Sequence, residues 1–348
     1  MAAAEDLRVA VLPTSLSRPG PGLLLRDIRA GDDAQVGAAV RLVAHVAPDV
    51  LVLTSFDYDL EGMALGAFAD ALAEAGHPMP FRFALRPNSG TRTGLDMDGD
   101  GTASGPADAQ GFGYFAGDGG LAILSTLPID ADRAQDFSGV LWADLPGARL
   151  PKVNGAPFPS AEAQAIQRLS SSGHWAVPVA LSDGPPLTLL VYSATPPVFD
   201  GPEDRNGLRN ADETRFWSLY LDGHFGPVPE SFAIIGKSNL DPVDGEGHHD
   251  AMTDLLAHPL VQDPAPRSAG GAAAADPGHA GDPALDTADW DDPPGNLRVS
   301  YILPSRDWQV MDAGVLWPAP GSPEDASLGS DVEAAGPHRL VWVDLRRE

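Results

Sequence analysis

The chain has 348 residues and a formal net charge of −27, and because Lys and Arg supply most of the attraction to phosphate backbones, nucleic acid is disfavoured as a partner. It contains no cysteine, which excludes disulfides, thiolate catalysis and cysteine-bound zinc. Hydrophobic residues make up 43% of the chain, but no apolar run approaches the roughly 20 residues of a membrane span. The first residues also lack a signal-peptide pattern. We therefore expect no membrane contact and a soluble cytoplasmic protein, or an exported one whose leader was removed.

Predicted strands and helices alternate in the first third of the chain. A strand is expected at 7–12, and apolar residues then recur at helical spacing over 32–46. A fully apolar run at 50–53 reads as a buried strand, which completes a strand-helix-strand opening. The elements predicted next are a helix at 63–75 and strands at 81–85 and 121–124.

The rest of the chain is predicted to form mainly strands, at 174–179, 187–192, around 234–235, 297–303, 310–316 and 340–343. One helix is expected at 210–221, begun by Asn210 with Glu213 three residues later, the spacing of a capping box. A segment rich in Ala, Gly, Pro and Asp at about 262–295 reads as a long surface loop. This pattern predicts an α/β (α+β) four-layer sandwich, two packed mixed β-sheets with helices on the outer faces, formed by 1–348 as a single domain.

A second long loop is predicted at about 86–118, where Gly and Asp dominate. Positions one, three and five of a Ca²⁺-binding loop are matched there by Asp96, Asp98 and Asp100. Ala107 stands at position twelve, where such loops carry a bidentate Glu, although Asp108 follows immediately. The sequence therefore leaves two alternatives at this loop, a Ca²⁺ site and a solvated Asp-Gly turn.

Seven segments of the chain occur in the order and spacing of one known family. They are "VAPDVLVLTSFDYD", "GLDMDGDG", "ATPPVFDGPEDRNGLRN", "IIGKSNLDP", "DPALDTADW", "PGNLRVSYILPS" and "GPHRLVWVDL". In these segments the chain resembles the endonuclease/exonuclease/phosphatase superfamily, whose fold is that of deoxyribonuclease I, and in particular a bacterial branch of it. The resemblance covers nearly the entire chain. It implies hydrolysis of phosphate esters with a divalent metal, usually Mg²⁺, as the activity of the family.

The resemblance also implies where the active site lies, and most of its residues are replaced here. The family places Asn, Glu and His at strand ends, an Asp-x-Asn after another strand, a further Asp, and a closing Asp-His pair. The retained positions are Asn239 and His338, and the substituted ones are Pro13, Ser55, Ser193, Lys237, Ser300 and Pro337. Because Mg²⁺ prefers carboxylate oxygens in near-octahedral geometry, we do not expect it at this site.

Lys237 stands where the resemblance implies a metal-binding aspartate. One interpretation is a disabled site in which the ammonium replaces the charge of the cation, so that Lys237, Asn239 and His338 bind an anion. The other interpretation is an ordinary solvated lysine. In that case His338 is a structural histidine without its orienting carboxylate, and Asn239 holds the loop that follows the strand.

These substitutions predict a family member that has lost metal-dependent phosphoesterase activity and that binds an unidentified protein or a small anionic ligand. The alternative is an active Mg²⁺- or Mn²⁺-dependent phosphodiesterase or phosphatase with a rearranged metal site. Its candidate ligands are Asp241, Asp244, Glu246, His248, His249 and Asp250. An acidic loop at the start of a helix explains the same cluster without a metal. A third reading is a secreted, Ca²⁺-stabilised module of a larger assembly.

Overall fold

The computed structural model describes residues 6–291 and 293–347. The strands in chain order are β1 (Leu7–Leu16), β2 (Val50–Phe56), β3 (Phe81–Phe83), β4 (Gly120–Ser125), β5 (Gln135–Asp136), β6 (Lys152–Val153), β7 (Ala156–Pro157), β8 (His174–Val179), β9 (Leu187–Ser193), β10 (Phe232–Lys237), β11 (Ser300–Pro304), β12 (Trp308–Val315) and β13 (Val341–Arg347). The helices are α1 (Leu23–Ala30), α2 (Ala34–Val46), α3 (Met63–Glu74), α4 (Ala161–Ile166), α5 (Arg205–Leu221), α6 (His249–Leu256), α7 (Ala269–Ala273) and α8 (Pro323–Ala335). None of these helices combines the length and the apolar character that a membrane crossing requires.

The larger strands form two mixed sheets. The first sheet has six strands in the order β12-β13-β1-β2-β4-β3, and the second has five in the order β11-β10-β9-β8-β5. Each sheet contains one parallel pair, β1 with β2 in the first and β9 with β10 in the second. The remaining neighbours in both sheets run antiparallel. The first and last long strands therefore lie side by side in the first sheet.

Three apolar clusters hold four layers together. Alternate residues of a strand point to opposite faces, and in β1 the residues Val9 and Val11 face the second sheet whereas Ala10 and Leu12 face helices. The cluster on this outer face joins the six-stranded sheet to α1, α2, α3 and α8. A third cluster packs α5 and α6 against the outer face of the five-stranded sheet. The predicted four-layer sandwich is confirmed.

The predicted start of the helix at 210–221 is wrong. α5 begins five residues earlier, at Arg205, so Asn210 and Glu213 lie inside the helix and are buried. Both side chains are engaged in tertiary contacts instead of capping. Asn210 Nδ2 donates hydrogen bonds of 2.7 Å to the carbonyls of Thr195 and Ser238, and Glu213 accepts from the Thr195 N–H at 2.7 Å. The sequence pattern of a helix cap therefore belongs to polar residues that connect α5 to the segments after β9 and β10 by hydrogen bonds.

The two predicted loops are only partly irregular. Between β3 and β4 the one helical element is a short 3₁₀ turn at Pro106–Asp108. The segment at 262–295 contains α7 and a 3₁₀ turn at Pro283–Leu285, while Asp292 lies outside the described residues. α7 approaches Trp317 so closely that a Cβ on Gly270 would lie 2.3 Å from the indole ring. This second segment is thus packed against the sandwich at α7.

Replacing Asn210 by Ala should destabilise the protein by about 1–3 kcal/mol, because the buried carbonyl of Ser238 and the partly buried carbonyl of Thr195 lose their donor. The exposed Glu74, at the end of α3, provides the control, since Glu74→Ala removes a solvated side chain and should change stability by less than about 0.5 kcal/mol. Urea unfolding followed by circular dichroism measures both. Equal midpoints for the two variants would contradict the role assigned to Asn210.

Candidate functional site

A cleft of about 750 Å³ opens at one edge of the two sheets. Ser55 lines it from the end of β2, and Ser193 and Lys237 line it from the ends of β9 and β10. In each sheet these residues belong to the parallel pair of strands, so the carboxyl ends of both pairs meet at this edge. Residues separated by more than a hundred positions are brought together in this way.

Lys237 lines the cleft from the end of β10. On β10 it lies in register with Ser193 of β9 on one side and with Ser300 of β11 on the other. Its Nζ is 3.2 Å from the Oγ of Ser55, which belongs to the other sheet. Three of the substituted family positions, all serines, therefore surround a fourth, the lysine.

No carboxylate of the described residues compensates the charge of Lys237. No ion pair within 4.0 Å joins its Nζ to an acidic side chain among residues 6–291 and 293–347. Burial lowers the pKa of Lys237 from 10.5 to about 8, because removal from water disfavours the charged form. An uncompensated ammonium of this kind is stabilised either by losing its proton or by gaining an anion.

The two retained family residues take different positions. Asn239 lines the cleft, but its Nδ2 donates a 2.8 Å hydrogen bond to the carbonyl of Ala194 and so holds the loop after β10. His338 is buried outside the cleft lining, edge-on to Trp290 at 5.1 Å between ring centroids. Burial and the positive charge of Lys237 hold the pKa of His338 well below its usual range, and its Nδ1 has no hydrogen-bond partner among the described residues. Lys237 and Asn239 therefore share the cleft, whereas His338 does not line it.

The remaining family positions offer few metal ligands. Pro13 is buried in register with Thr54, and the carbonyl of Pro337 accepts from the Asp289 N–H at 2.9 Å. The Oγ of Ser300 is buried and finds no hydrogen-bond partner in the part of the chain that the structure describes. Together these positions supply hydroxyls, an amide, an imidazole and an ammonium. This set does not fit Mg²⁺, which prefers carboxylate oxygens in octahedral geometry.

The walls of the cleft carry arginines and exposed aromatic rings. Arg18 and Arg205 line the cleft, and Arg205 lies close enough to Asp98 for a favourable electrostatic interaction. Phe112 and Phe199, also in the lining, are 62% and 89% exposed. Sequence reasoning missed these rings, although "GFGYF" at 111–115 places aromatic residues between glycines in a loop, where no apolar core is expected.

The acidic loop brings together a different set of aspartates from the predicted one. Carboxylate oxygens of Asp96, Asp98 and Asp108 lie within 4.8 Å of one another, the single group of three potential ligands found in the described part of the chain. Asp100 instead accepts hydrogen bonds from the N–H and Oγ1 of Thr102 at 2.7 and 2.8 Å. Burial and the charges of Asp100 and Asp108 raise the pKa of Asp98, which also lines the cleft. Asp108 thus takes the place expected for Asp100.

Several side chains of the acidic cluster at 241–250 form hydrogen bonds or ion pairs with other protein groups. Asp241 accepts from the Arg298 N–H at 2.7 Å, and His249 contacts the carbonyl of Asp241 at 2.7 Å. Asp250 pairs with Arg149 at 2.6 Å. Within the described ranges these side chains form no group of three that converges on one point, so the geometry offers no support for a rearranged metal site there.

Comparisons with known proteins agree on one fold. The model of the Endonuclease/Exonuclease/phosphatase family matches residues 26–331. Among similar solved structures, an endonuclease/exonuclease/phosphatase from Beutenbergia cavernae is 15% identical with a TM-score of 0.55, covering 98% of this chain and 72% of that one. A family protein from Bacteroides thetaiotaomicron is 13% identical with a TM-score of 0.54 and 99% coverage of both chains. Sphingomyelinase C from Streptomyces griseocarneus is 16% identical with a TM-score of 0.50, covering 98% and 99%.

At these identities the structures show a shared fold and nothing finer. No curated protein sequence matches the chain. The family model, in contrast, spans most of the sequence and includes Ser55, Ser193, Lys237 and Ser300 within its bounds. The resemblance inferred from the seven sequence segments is therefore confirmed.

Titration of the two lysines of the chain, Lys237 and the exposed Lys152, tests the electrostatics of the cleft directly. In protein labelled with ¹³C at lysine Cε, NMR should show two signals, one of which titrates with a pKa of about 8. Lys237→Arg should remove that signal, and Lys152→Arg should remove the other. If both signals titrate together, the cleft does not perturb Lys237.

Proposed function

Because the chain belongs to the endonuclease/exonuclease/phosphatase family, we propose that it is a member without metal-dependent phosphoesterase activity whose cleft binds a small anionic ligand. The observation that carries this proposal is the position of Lys237 among Ser55, Ser193 and Ser300. An ammonium stands where the resemblance implies a carboxylate for the metal. The alternative function is an active Mg²⁺- or Mn²⁺-dependent enzyme of the same family.

The proposed loss of hydrolysis rests on the contribution that a metal makes to the reaction and that a lysine does not replace. A divalent cation neutralises phosphoryl oxygens and lowers the pKa of bound water enough to generate a nucleophile. A lysine ammonium carries one charge and coordinates no water in this way. Residues of an active site act as a unit, so removal of several metal ligands together costs most of the rate enhancement.

Anion binding follows from the uncompensated charge of Lys237. Lys237 is only partly exposed, so its ammonium is less well solvated than a surface lysine, and no acidic side chain of the described residues supplies a counter-charge. A phosphate or carboxylate group at Nζ would provide it. The hydroxyls of Ser55 and Ser193 add hydrogen-bond donors beside the ammonium. Arg18 and Arg205 also line the cleft, although Arg18 is engaged in ion pairs with Asp27 at 2.9 Å and Asp33 at 3.1 Å.

We also propose that Asp96, Asp98 and Asp108 bind Ca²⁺, a hard cation that prefers oxygen ligands. Two of these aspartates belong to the Ca²⁺-loop pattern of the sequence, and the third arrives through the fold. Because Asp98 also lines the cleft, the bound cation would lie at its edge. It would reduce the repulsion between the acidic loop and an anion at Lys237.

Inorganic phosphate should bind to the parent protein in calorimetric titrations carried out with EDTA. Lys237→Met should weaken binding at least tenfold because the charge is removed, whereas Lys152→Met, at the other lysine, should leave affinity unchanged. A parallel assay with bis-(p-nitrophenyl) phosphate and Mg²⁺ or Mn²⁺ should give no turnover above that of Lys237→Met. Metal-dependent turnover by the parent alone would establish the alternative function, and unaltered affinity in Lys237→Met would refute the anion site.

Measurements of Ca²⁺ binding distinguish the two candidate ligand sets, the aspartates grouped in the structure and those predicted from the sequence. Asp98→Asn should abolish binding of Ca²⁺ to EDTA-stripped protein, because a charged ligand of the group is neutralised. Asp100→Asn neutralises a neighbouring carboxylate outside the group and should reduce affinity by less than threefold. If the two variants lose Ca²⁺ binding equally, Asp100 is a ligand after all; if neither parent nor variants bind Ca²⁺, the loop is an Asp-Gly turn.

A further inference from the structure

Ser55 and Lys237 form a polar pair that spans the two sheets. Ser55 lies near the end of β2 in the six-stranded sheet, and Lys237 ends β10 in the five-stranded sheet. Their Oγ and Nζ atoms are 3.2 Å apart, and both residues line the cleft. A hydroxyl and an amine at hydrogen-bond distance in an accessible cleft have the arrangement of a nucleophile and its base.

The backbone holds Ser55 in an uncommon conformation. Its φ is 55°, in the left-handed region that non-glycine residues seldom adopt. The pairing of β2 with β4 shifts register between Thr54 and Phe56, so Ser55 is the residue displaced from the ladder. Such strain persists only where the surroundings maintain it, and it is concentrated at functional sites. The strained residue here is the one whose hydroxyl faces Lys237.

The electrostatic setting allows Lys237 to act as a base. Burial lowers its pKa to about 8, and no acidic partner among the described residues opposes this shift. The titratable side chain next to it is His338, whose pKa is itself held well below the usual range. Above pH 8 most molecules therefore carry a neutral amine, and the hydrogen bond reverses: the Ser55 hydroxyl donates and Lys237 Nζ accepts.

We propose that Ser55 is a nucleophile activated by Lys237 and that the pair transfers acyl groups from carboxylic esters with good leaving groups. The Ser55 Oγ forms a bond to the carbonyl carbon while its proton moves to Lys237 Nζ. The ester C–O bond breaks, and the leaving alkoxide or phenolate takes that proton. Water then attacks the acyl-serine, passing its proton through Lys237 back to Ser55 Oγ as the carboxylic acid departs. No metal or oxidant is required.

The rim of the cleft favours an aryl ester as the substrate class. Phe112 and Phe199 project exposed rings from the lining, and aromatic faces stack favourably on an aromatic leaving group. The reaction goes beyond the proposed anion binding but uses the same lysine. Binding of phosphate at Nζ stabilises the protonated form, so phosphate should inhibit acyl transfer.

The test uses p-nitrophenyl acetate at pH 8.5 with EDTA, with release of p-nitrophenol and the mass of the intact protein followed together. The parent should acquire one acetyl group, located on Ser55 by peptide mapping, and its rate should rise with pH in step with the Lys237 NMR titration. Ser55→Gly, which removes the hydroxyl and suits the positive φ, should abolish this acetyl group. Ser55→Ala provides a second variant without the hydroxyl, and circular dichroism checks the folding of both.

Lys237→Arg separates this inference from the proposed function. Arginine keeps the positive charge but does not lose its proton in proteins, so phosphate binding should persist while acetylation of Ser55 falls by about 10²-fold, the size of a general-base contribution. Lys152→Arg serves as the matched control and should acetylate Ser55 at the parent rate. Acetylation of Lys237 itself, an unchanged rate in Lys237→Arg, or equal labelling of Ser55→Gly would each overturn the inference, whatever the outcome of the phosphate titration.

Discussion

The apolar layer between the two sheets is the constraint on which the cleft depends. Val52 and Ile123 of the first sheet and Val177 and Ile235 of the second belong to this one cluster. The alternation of side chains along β10 places Lys237 on the same face as Ile235, pointing toward the opposite sheet. A slip of one residue in β10 would turn the lysine toward α5 and α6 and empty the cleft floor of charge.

A glycine makes this arrangement possible at the end of β10. Gly236 lies between Ile235 and Lys237, and a Cβ added to it would lie 1.9 Å from the carbonyl oxygen of Tyr192. No side chain fits at that distance, so the close approach of β9 and β10 requires glycine at this position. The same approach sets the register that places Ser193 beside Lys237.

The protonation of Lys237 connects anion binding with base chemistry. In its charged form the lysine attracts an anion, and an anion in contact raises the pKa of the amine and keeps it charged. In its neutral form the amine attracts no anion but accepts the proton of Ser55, 3.2 Å away. Neither form generates hydroxide as a bound metal does. The two proposed properties are therefore alternate states of one residue, selected by pH and by the ligand.

The fold was largely predictable because burial imposes regular patterns on strands and helices. The predicted strand at 174–179 coincides with β8, whose residues are all buried. The start of α5 was not predictable, because Asn is a residue type that commonly caps helices. Its actual contacts to Thr195 and Ser238 form only when the layers pack together. α8 was missed because its apolar positions are few among small and acidic residues, so tertiary packing rather than periodicity stabilises it.

The resemblance selected residues from distant parts of the chain, but it did not give their contacts. The resemblance pointed to Ser55, Ser193, Lys237 and Ser300. Strand register places Ser193 and Ser300 beside Lys237, and the stacking of the two sheets brings Ser55 to it. The resemblance did not give the partner of Lys237, since the distance between Ser55 and Lys237 depends on how two sheets stack. It also did not place Asp108 beside Asp96 and Asp98, because the loop pattern counts positions along the chain and the fold returns a more distant one.

The net charge of −27 limits how an anion reaches Lys237. At physiological ionic strength the field of exposed charges is screened over about 8 Å, so the acidic surface acts mainly on the approach and less on the contact at Nζ. Arg18 and Arg205 lie along that approach, and Asp98 opposes them from the same lining. A divalent cation at Asp96, Asp98 and Asp108 would neutralise most of the negative charge of these three carboxylates. Anion affinity should therefore increase with added Ca²⁺, and the increase should shrink at high salt because screening weakens both the repulsion and its relief.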